Sequence, residues 1–122
     1  MGKRVLIVED EAPLSTALAE KMRKEGYEAE VAKNGQEGLE AIKRNKPDII
    51  LLDVIMPIMD GMSMLRNLRT DNEAKDIPVI ILSNLSDSND ILQAMQNNTY
   101  DYLIKSDVTL EVIVDRIKSR IG

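Results

Sequence analysis

Acidic side chains follow the first and third aliphatic segments of the chain. Glu9 and Asp10 come after Val5–Val8, and Asp53 comes after Ile49–Leu52. Burying a carboxylate at the end of an apolar strand costs free energy unless another group compensates its charge. Two carboxylates about 4 Å apart repel each other by roughly 4 kcal/mol at an effective dielectric constant near 20. If these three side chains converge, a cation must lie among them.

Two more polar residues end later apolar segments. Ser83 follows Val79–Leu82, and Lys105 follows the sequence YDYLI. Lys105 would supply one positive charge, and a magnesium ion would supply two, since Mg²⁺ prefers a few carboxylates together with water and phosphate oxygens. An oxygen-lined site with a metal ion, a lysine and a hydroxyl is suited to phosphoryl transfer, in which a carboxylate attacks phosphorus.

The composition restricts the chemistry that is available. The 122 residues include no cysteine and no histidine, so any metal ion must be held by oxygen ligands. The formal net charge of −5 argues against direct contact with nucleic acid, since phosphate binding needs a basic surface. The N-terminal apolar run Val5–Val8 is too short for a signal peptide or a membrane span. We therefore expect a single cytoplasmic domain.

Hydrophobic patterning predicts five strands. Val5–Val8, Ile49–Leu52 and Val79–Leu82 are continuous aliphatic runs, which are typical of strands covered on both faces. The segments YEAEVA and YDYLI alternate between apolar and polar residues, which is typical of strands at the edge of a sheet. The second and fifth strands are therefore predicted to lie at the edges.

Helical periodicity fills the intervals between these strands. Pro13 suits the first turn of the first helix, and Asp60 suits the N-cap of the third. The fourth helix has the thinnest apolar stripe, and the fifth has the strongest. The five stripes contain, in chain order, Leu14, Leu39, Met64, Ile91 and Leu110.

Strand–helix alternation predicts an α/β fold, with a parallel sheet and helices on both of its faces. The burial pattern of the strands fits a doubly wound (βα)5 flavodoxin-like sheet with strand order 2-1-3-4-5. Ligands bind such sheets beyond the carboxyl ends of the strands, at the switch point between strands one and three. Glu9, Asp10 and Asp53 are predicted to lie at that point.

Four short motifs resemble those of response-regulator receiver domains in two-component signalling, the family that includes the chemotaxis regulators. They are VEDE after strand one, LLDVIMPIMDG at strand three, ILSN at strand four and YLIKS at strand five. The likeness extends from Lys3 to Ile121. It implies a single receiver domain over residues 1–122, and no output domain is visible in this sequence.

The resemblance implies a role for each polar residue of the site. Asp53 would be the phosphate-accepting nucleophile, and Lys105 would pair with the phosphoryl oxygens. Ser83 would hydrogen-bond to the phosphoryl group and swing inward with it. Tyr102 would be the aromatic switch residue that is linked to Ser83.

Magnesium is the cofactor that the resemblance implies. Asp10 would bind Mg²⁺ directly, and Glu9 would act mainly through water. Asp53 and the backbone carbonyl of Ile55 would complete the protein ligands.

The implied phosphoryl donor is a histidine kinase or a phosphotransfer protein. Phosphorylation would change the surface formed by the fourth helix, the fifth strand and the fifth helix, which a downstream protein partner would recognise. The resemblance implies no enzyme activity beyond the domain's own phosphorylation and dephosphorylation. The charge and the short apolar runs predict no direct nucleic-acid or membrane contact, and we expect a monomer or a weak homodimer.

Two departures from the family pattern leave an alternative open. Ser106 stands where a cis-proline is usual, so the Lys105–Ser106 bond is expected to be either trans with a shifted loop or cis under strain. Asn84 stands where the residue is usually small. The alternative is a degenerate receiver that acts as a phosphorylation-independent protein-binding module. An aspartate-nucleophile phosphatase is disfavoured by Ile55, and a flavin-binding module by the acidic sequence EDEAP.

Overall fold

Five parallel strands and four helices make up the part of the chain that the computed structural model describes, which is residues 2–53, 61–83 and 101–122. A short 3-10 turn over Lys105–Asp107 connects the last strand to the last helix. The elements are β1 (Arg4–Val8), α1 (Ala12–Lys24), β2 (Glu28–Ala32), α2 (Gly35–Arg44), β3 (Ile49–Leu52), α3 (Gly61–Thr70), β4 (Val79–Ser83), β5 (Asp101–Ile104) and α4 (Leu110–Ile121).

The strands form one sheet in the order β2-β1-β3-β4-β5, and all neighbouring pairs are parallel. This order confirms the predicted doubly wound sheet. The chain order reverses between β1 and β3, where Val8 pairs with Leu52. Because these two residues are neighbours, the residues that follow them leave the sheet side by side at its carboxyl edge.

The core lies on both faces of the sheet, which explains the continuous aliphatic runs. In β1, Leu6 and Val8 pack into the cluster that contains α2 and α3, whereas Val5 and Ile7 pack into the cluster that contains α1 and α4. All four residues of β3 are buried. Each fully buried aliphatic side chain of this size contributes about 1.5–3 kcal/mol by leaving water, so the strands that carry the site are held firmly.

The two alternating strands lie at the predicted edges of the sheet, but in β5 the buried residue is Leu103, which the alternation placed on the polar face with Asp101. In β2, Glu28 is exposed, while Ala29 and Val31 pack against the cluster on the α1 side. In β5, Leu103 packs on that same side, and Tyr102 is half-buried against the opposite cluster. β5 therefore packs against the core on both of its faces.

Some features of the helix N-termini were predicted from the sequence, and others were not. Pro13 lies in the first turn of α1, as expected. Asn34 caps α2 and Thr109 caps α4 with their side-chain oxygens. The predicted cap Asp60 and the predicted fourth helix around Ile91 lie outside the described residues. Within the described ranges, no helix has the length and hydrophobicity that crossing a bilayer requires.

Asn34 has a structural role at the end of β2. Its side-chain oxygen accepts a hydrogen bond from the Glu37 backbone N–H at 2.9 Å, and the residue is buried. The Glu37 side chain in turn accepts from the backbone N–H of Lys33 at 3.1 Å. This reciprocal pair satisfies two N–H groups at the start of α2.

We predict that Asn34→Ala lowers the free energy of unfolding by about 1–2 kcal/mol, because the substitution removes the helix cap. Asn34→Asp retains the accepting oxygen and should lie close to the wild type. Urea unfolding of the three proteins provides the measurement. Equal losses in both variants would show that the cap does not stabilise α2.

Candidate functional site

The carboxyl ends of β1 and β3 bring three carboxylates together. The Asp53 backbone N–H donates to the carbonyl of Val8 at 2.9 Å, and this contact ties the end of β3 to the end of β1. One carboxylate oxygen from each of Glu9, Asp10 and Asp53 lies within 4.8 Å of the others. The structure thus brings together the three acidic residues that the sequence predicts at the switch point.

The three carboxylates differ in their access to solvent. Glu9 is 2% exposed and Asp53 is 5% exposed, whereas Asp10 is exposed. Asp53 directly follows a strand whose four residues are all buried, so its backbone lies at the end of the core. Asp10 lies in the bend between β1 and α1. The cluster is therefore a cleft with two buried members and one member at its mouth.

Lys105 supplies the cation of this cleft from two strands away. Its Nζ lies 2.8 Å from Glu9 Oε1, 2.8 Å from Glu11 Oε1 and 3.2 Å from Asp53 Oδ2. The lysine side chain is only 10% exposed. One ammonium group thus contacts three carboxylates, which confirms the predicted proximity of Lys105 to Asp53.

The protonation equilibrium of Glu9 reflects this crowding. Burial raises the pKa of Glu9 to about 7, and the nearby charge of Asp53 acts in the same direction. Contact with Lys105 and a hydrogen bond from the Glu11 backbone N–H to Oε2, at 3.0 Å, oppose the rise without cancelling it. Three carboxylates contact the single ammonium of Lys105, so acidic groups outnumber the cation among the described residues of the site.

The pKa of Lys105 is raised, which takes it further above neutral pH. Burial of the ammonium acts to lower this pKa, but hydrogen bonding to Glu11, contact with Glu9 and the charge of Asp53 raise it above the ordinary value for lysine. Lys105 is consequently a permanent positive charge at physiological pH. It can neutralise anionic oxygens, but it cannot act as a base.

The donor set suits a small, hard divalent cation. Glu9 Oε1 meets the ammonium as an ion pair but accepts no directed hydrogen bond from the described residues, although it is buried. Removing carboxylates from water costs free energy unless their charge is compensated, and here one ammonium serves three carboxylates. Carboxylate oxygens are the ligands that hard divalent cations prefer. The Glu9–Asp10–Asp53 cluster can therefore hold a metal ion.

The other predicted site residues are placed less completely. Ser83 ends β4, and its backbone pairs with Ile104 immediately before Lys105, so it reaches the same edge of the sheet. Tyr102 pairs with Ile81 and is half-buried. Ile55, the predicted carbonyl ligand, lies outside the described residues, as does Asn84.

The sequence left open whether the peptide bond between Lys105 and Ser106 is cis or trans. No peptide bond is cis among residues 2–53, 61–83 and 101–122, so the Lys105–Ser106 bond is trans. The chain turns there through the 3-10 segment Lys105–Asp107. Lys105 still reaches Asp53 from this backbone.

Sequence reasoning missed the contribution of Glu11. Its side chain is 62% exposed and binds the Lys105 ammonium at 2.8 Å. Its position directly after Glu9 and Asp10 is a signal that could have identified it. The direction of its side chain, however, depends on how α1 leaves the sheet.

Comparisons with known proteins define the family. A family model described as the response regulator receiver domain matches residues 5–118. The transcriptional regulatory protein PrrA of Mycobacterium tuberculosis is 37% identical over 117 residues, which are 95% of this chain and 48% of that protein. The chain spans about half the length of the curated relatives it matches. Since the family model covers most of the chain, the protein belongs to the response regulator receiver domain family.

Solved structures agree with this assignment. The receiver domain of the Francisella response regulator 1452 aligns with a TM-score of 0.89 and 30% identity, covering 98% of this chain and 97% of that one. A CheY-like receiver domain protein of Methanospirillum hungatei aligns with a TM-score of 0.91, covering 99% of this chain and 94% of that one. At 23% identity the second likeness supports the fold alone.

The raised pKa of Glu9 predicts a specific pH dependence of stability in metal-free buffer. Because the folded-state pKa of about 7 exceeds the ordinary glutamate pKa of 4.5, the contribution of Glu9 is fully present below about pH 4.5 and is lost as the pH rises through 7. One pKa unit corresponds to about 1.4 kcal/mol, so the loss is on the order of 3 kcal/mol.

Urea unfolding of the wild type and Glu9→Gln between pH 5 and pH 8 provides the measurement, since the glutamine cannot ionise. We expect the wild-type free energy of unfolding to fall relative to that of the variant across this window. Parallel curves would show that Glu9 has an ordinary carboxyl pKa in the folded state.

Proposed function

We propose that the protein is a phosphorylation-controlled signalling receiver that accepts a phosphoryl group on Asp53. The observation that carries the proposal is the position of Asp53: a carboxylate that is 5% exposed, lies 3.2 Å from a lysine ammonium and sits within a cluster of acidic ligands. The donor would be a histidine kinase or a phosphotransfer protein, in keeping with the family. The chain contains no histidine of its own that could serve as the donor.

The transfer step is a displacement at phosphorus. One Asp53 carboxylate oxygen attacks the phosphorus atom and forms a P–O bond. The P–N bond to the donor imidazole breaks, its electron pair stays on nitrogen, and that nitrogen takes up a proton. Lys105 pairs with the phosphoryl oxygens, because its ammonium remains charged and already contacts Asp53.

A magnesium ion would be held by Glu9, Asp10 and Asp53, together with the backbone carbonyl of Ile55. When bound, Mg²⁺ neutralises charge on the phosphoryl oxygens. The chain's own residues provide the rest of the site. Glu9 and Asp53 lie in the buried part of the cleft and Asp10 lies at its mouth, so the ion can enter from the solvent side.

Signal output would depend on contacts of the phosphoryl group that differ between two conformations of the domain. Ser83 would hydrogen-bond to it, and Tyr102 would turn inward with Ser83, which changes the surface of the segment between β4 and β5, of β5 and of α4. A ligand shifts a conformational equilibrium only through its different affinities for the two states. A downstream protein partner would recognise the phosphorylated state.

The direct test is phosphorylation by acetyl phosphate in the presence of Mg²⁺, followed by intact-protein mass. We expect the wild type to gain about 80 Da, the mass of one phosphoryl group. Asp53→Asn should gain nothing, because the amide cannot form the acyl phosphate. Asp115→Asn is the matched control, since Asp115 is exposed on α4, and it should react like the wild type.

Chelation of the divalent cation should suppress the mass gain. A wild-type protein that gains no mass from any donor would instead support the phosphorylation-independent binding module. Equal labelling of the wild type and Asp53→Asn would place the phosphoryl group on another residue and would contradict the proposal.

A further inference from the structure

Glu11 occupies the N-cap position of α1 but does not cap the helix with its side chain. Its backbone is extended, with φ −81° and ψ 103°, and its carbonyl accepts a hydrogen bond from the Ser15 N–H at 2.9 Å. Short polar side chains such as Asp at this position usually accept from an N–H of the first helical turn. The Glu11 side chain makes no such bond and reaches across the cleft to Lys105.

The Lys105 ammonium contacts carboxylates both in the interior and at the rim of the site. The contacts to Glu9 and Asp53 lead to side chains that are 2% and 5% exposed, whereas Glu11 is 62% exposed. The contact to Glu11 is also shorter than the contact to Asp53, at 2.8 Å against 3.2 Å. The ammonium is therefore shared between the buried Glu9 and the exposed Glu11, each at 2.8 Å, and both contacts are shorter than its contact with the proposed nucleophile.

Glu11 also stands apart from the proposed metal ligands. The group of carboxylates whose oxygens lie within 4.8 Å of one another contains Glu9, Asp10 and Asp53, but not Glu11. A divalent cation on that group would neutralise the carboxylates of Glu9 and Asp53. Among the described residues, Glu11 would then be the carboxylate contact of Lys105 that keeps its full negative charge.

We propose that Glu11 is a positioning residue that holds Lys105 at the rim of the cleft and competes with the incoming phosphoryl group for its ammonium. This inference rests on the proposed function. Phosphorylation requires Lys105 to exchange the Glu11 carboxylate for phosphoryl oxygens. The strength of the Glu11–Lys105 contact thus sets how readily the domain accepts a phosphoryl group.

The test compares Glu11→Gln with Glu111→Gln. Glu111 is a matched control, because it is 71% exposed, binds the Lys21 ammonium at 2.6 Å and lies on α4. Both substitutions remove one negative charge. The readout is the apparent second-order rate constant for phosphorylation by acetyl phosphate at saturating Mg²⁺.

We expect Glu11→Gln to raise this rate constant about two- to fivefold, the range that loss of an exposed ion pair supports. Glu111→Gln should leave it unchanged. In a Lys105→Ala background, the Glu11 substitution should have no effect. That background separates release of the lysine from a general reduction of repulsion toward the anionic donor, which would persist without Lys105.

Three results would overturn the inference while the proposed function stands: no change in Glu11→Gln, an equal gain in Glu111→Gln, or a gain that persists in Lys105→Ala. A fourth result would be an absence of coupling between Glu11 and Lys105 in a urea-unfolding double-mutant cycle, which needs no phosphorylation. If the wild type takes no phosphoryl group although the coupling is present, the proposed function fails, and this inference fails with it.

Discussion

One ammonium group shared by three carboxylates is the interaction on which this site depends. Neighbouring strands are about 4.8 Å apart, and β5 lies two strands from β3. A residue after β5 can therefore reach Asp53 only with a long side chain that passes over the end of β4. Lysine has that length, and Lys105 places its Nζ 3.2 Å from Asp53 Oδ2. The strand order thus allows one ammonium to reach three carboxylates, and the lysine neutralises part of their charge.

The single positive charge of Lys105 does not balance the carboxylates that it contacts. Burial raises the pKa of Glu9 to about 7, and one of its buried oxygens lacks a directed hydrogen bond among the described residues. Such an arrangement destabilises the folded protein in the absence of a further cation. Stability lost at a functional site is common where the strained group has chemistry to perform. Here the excess negative charge would favour the binding of a divalent cation.

Much of this organisation could be predicted from the sequence, because it depends on local patterns. The aliphatic run Ile49–Leu52 identified a strand covered on both faces, and the order of buried and alternating strands predicted the sheet order that is observed. The role of Glu11 could not be predicted in this way. Its side chain could have capped α1, and only the three-dimensional path of the helix start directs it to Lys105. The trans bond before Ser106, in contrast, agrees with the free-energy cost of a cis bond before a residue other than proline.

The central claim is that Lys105 and a divalent cation neutralise the same carboxylates. Isothermal titration calorimetry of Mg²⁺ with the wild type and Lys105→Met tests it most directly. Because the variant leaves the carboxylates without their ammonium, the account predicts that it binds Mg²⁺ more tightly than the wild type. Lys21→Met removes an equal charge from the ion pair with Glu111 and should bind like the wild type. Equal or weaker Mg²⁺ binding by Lys105→Met would contradict the account.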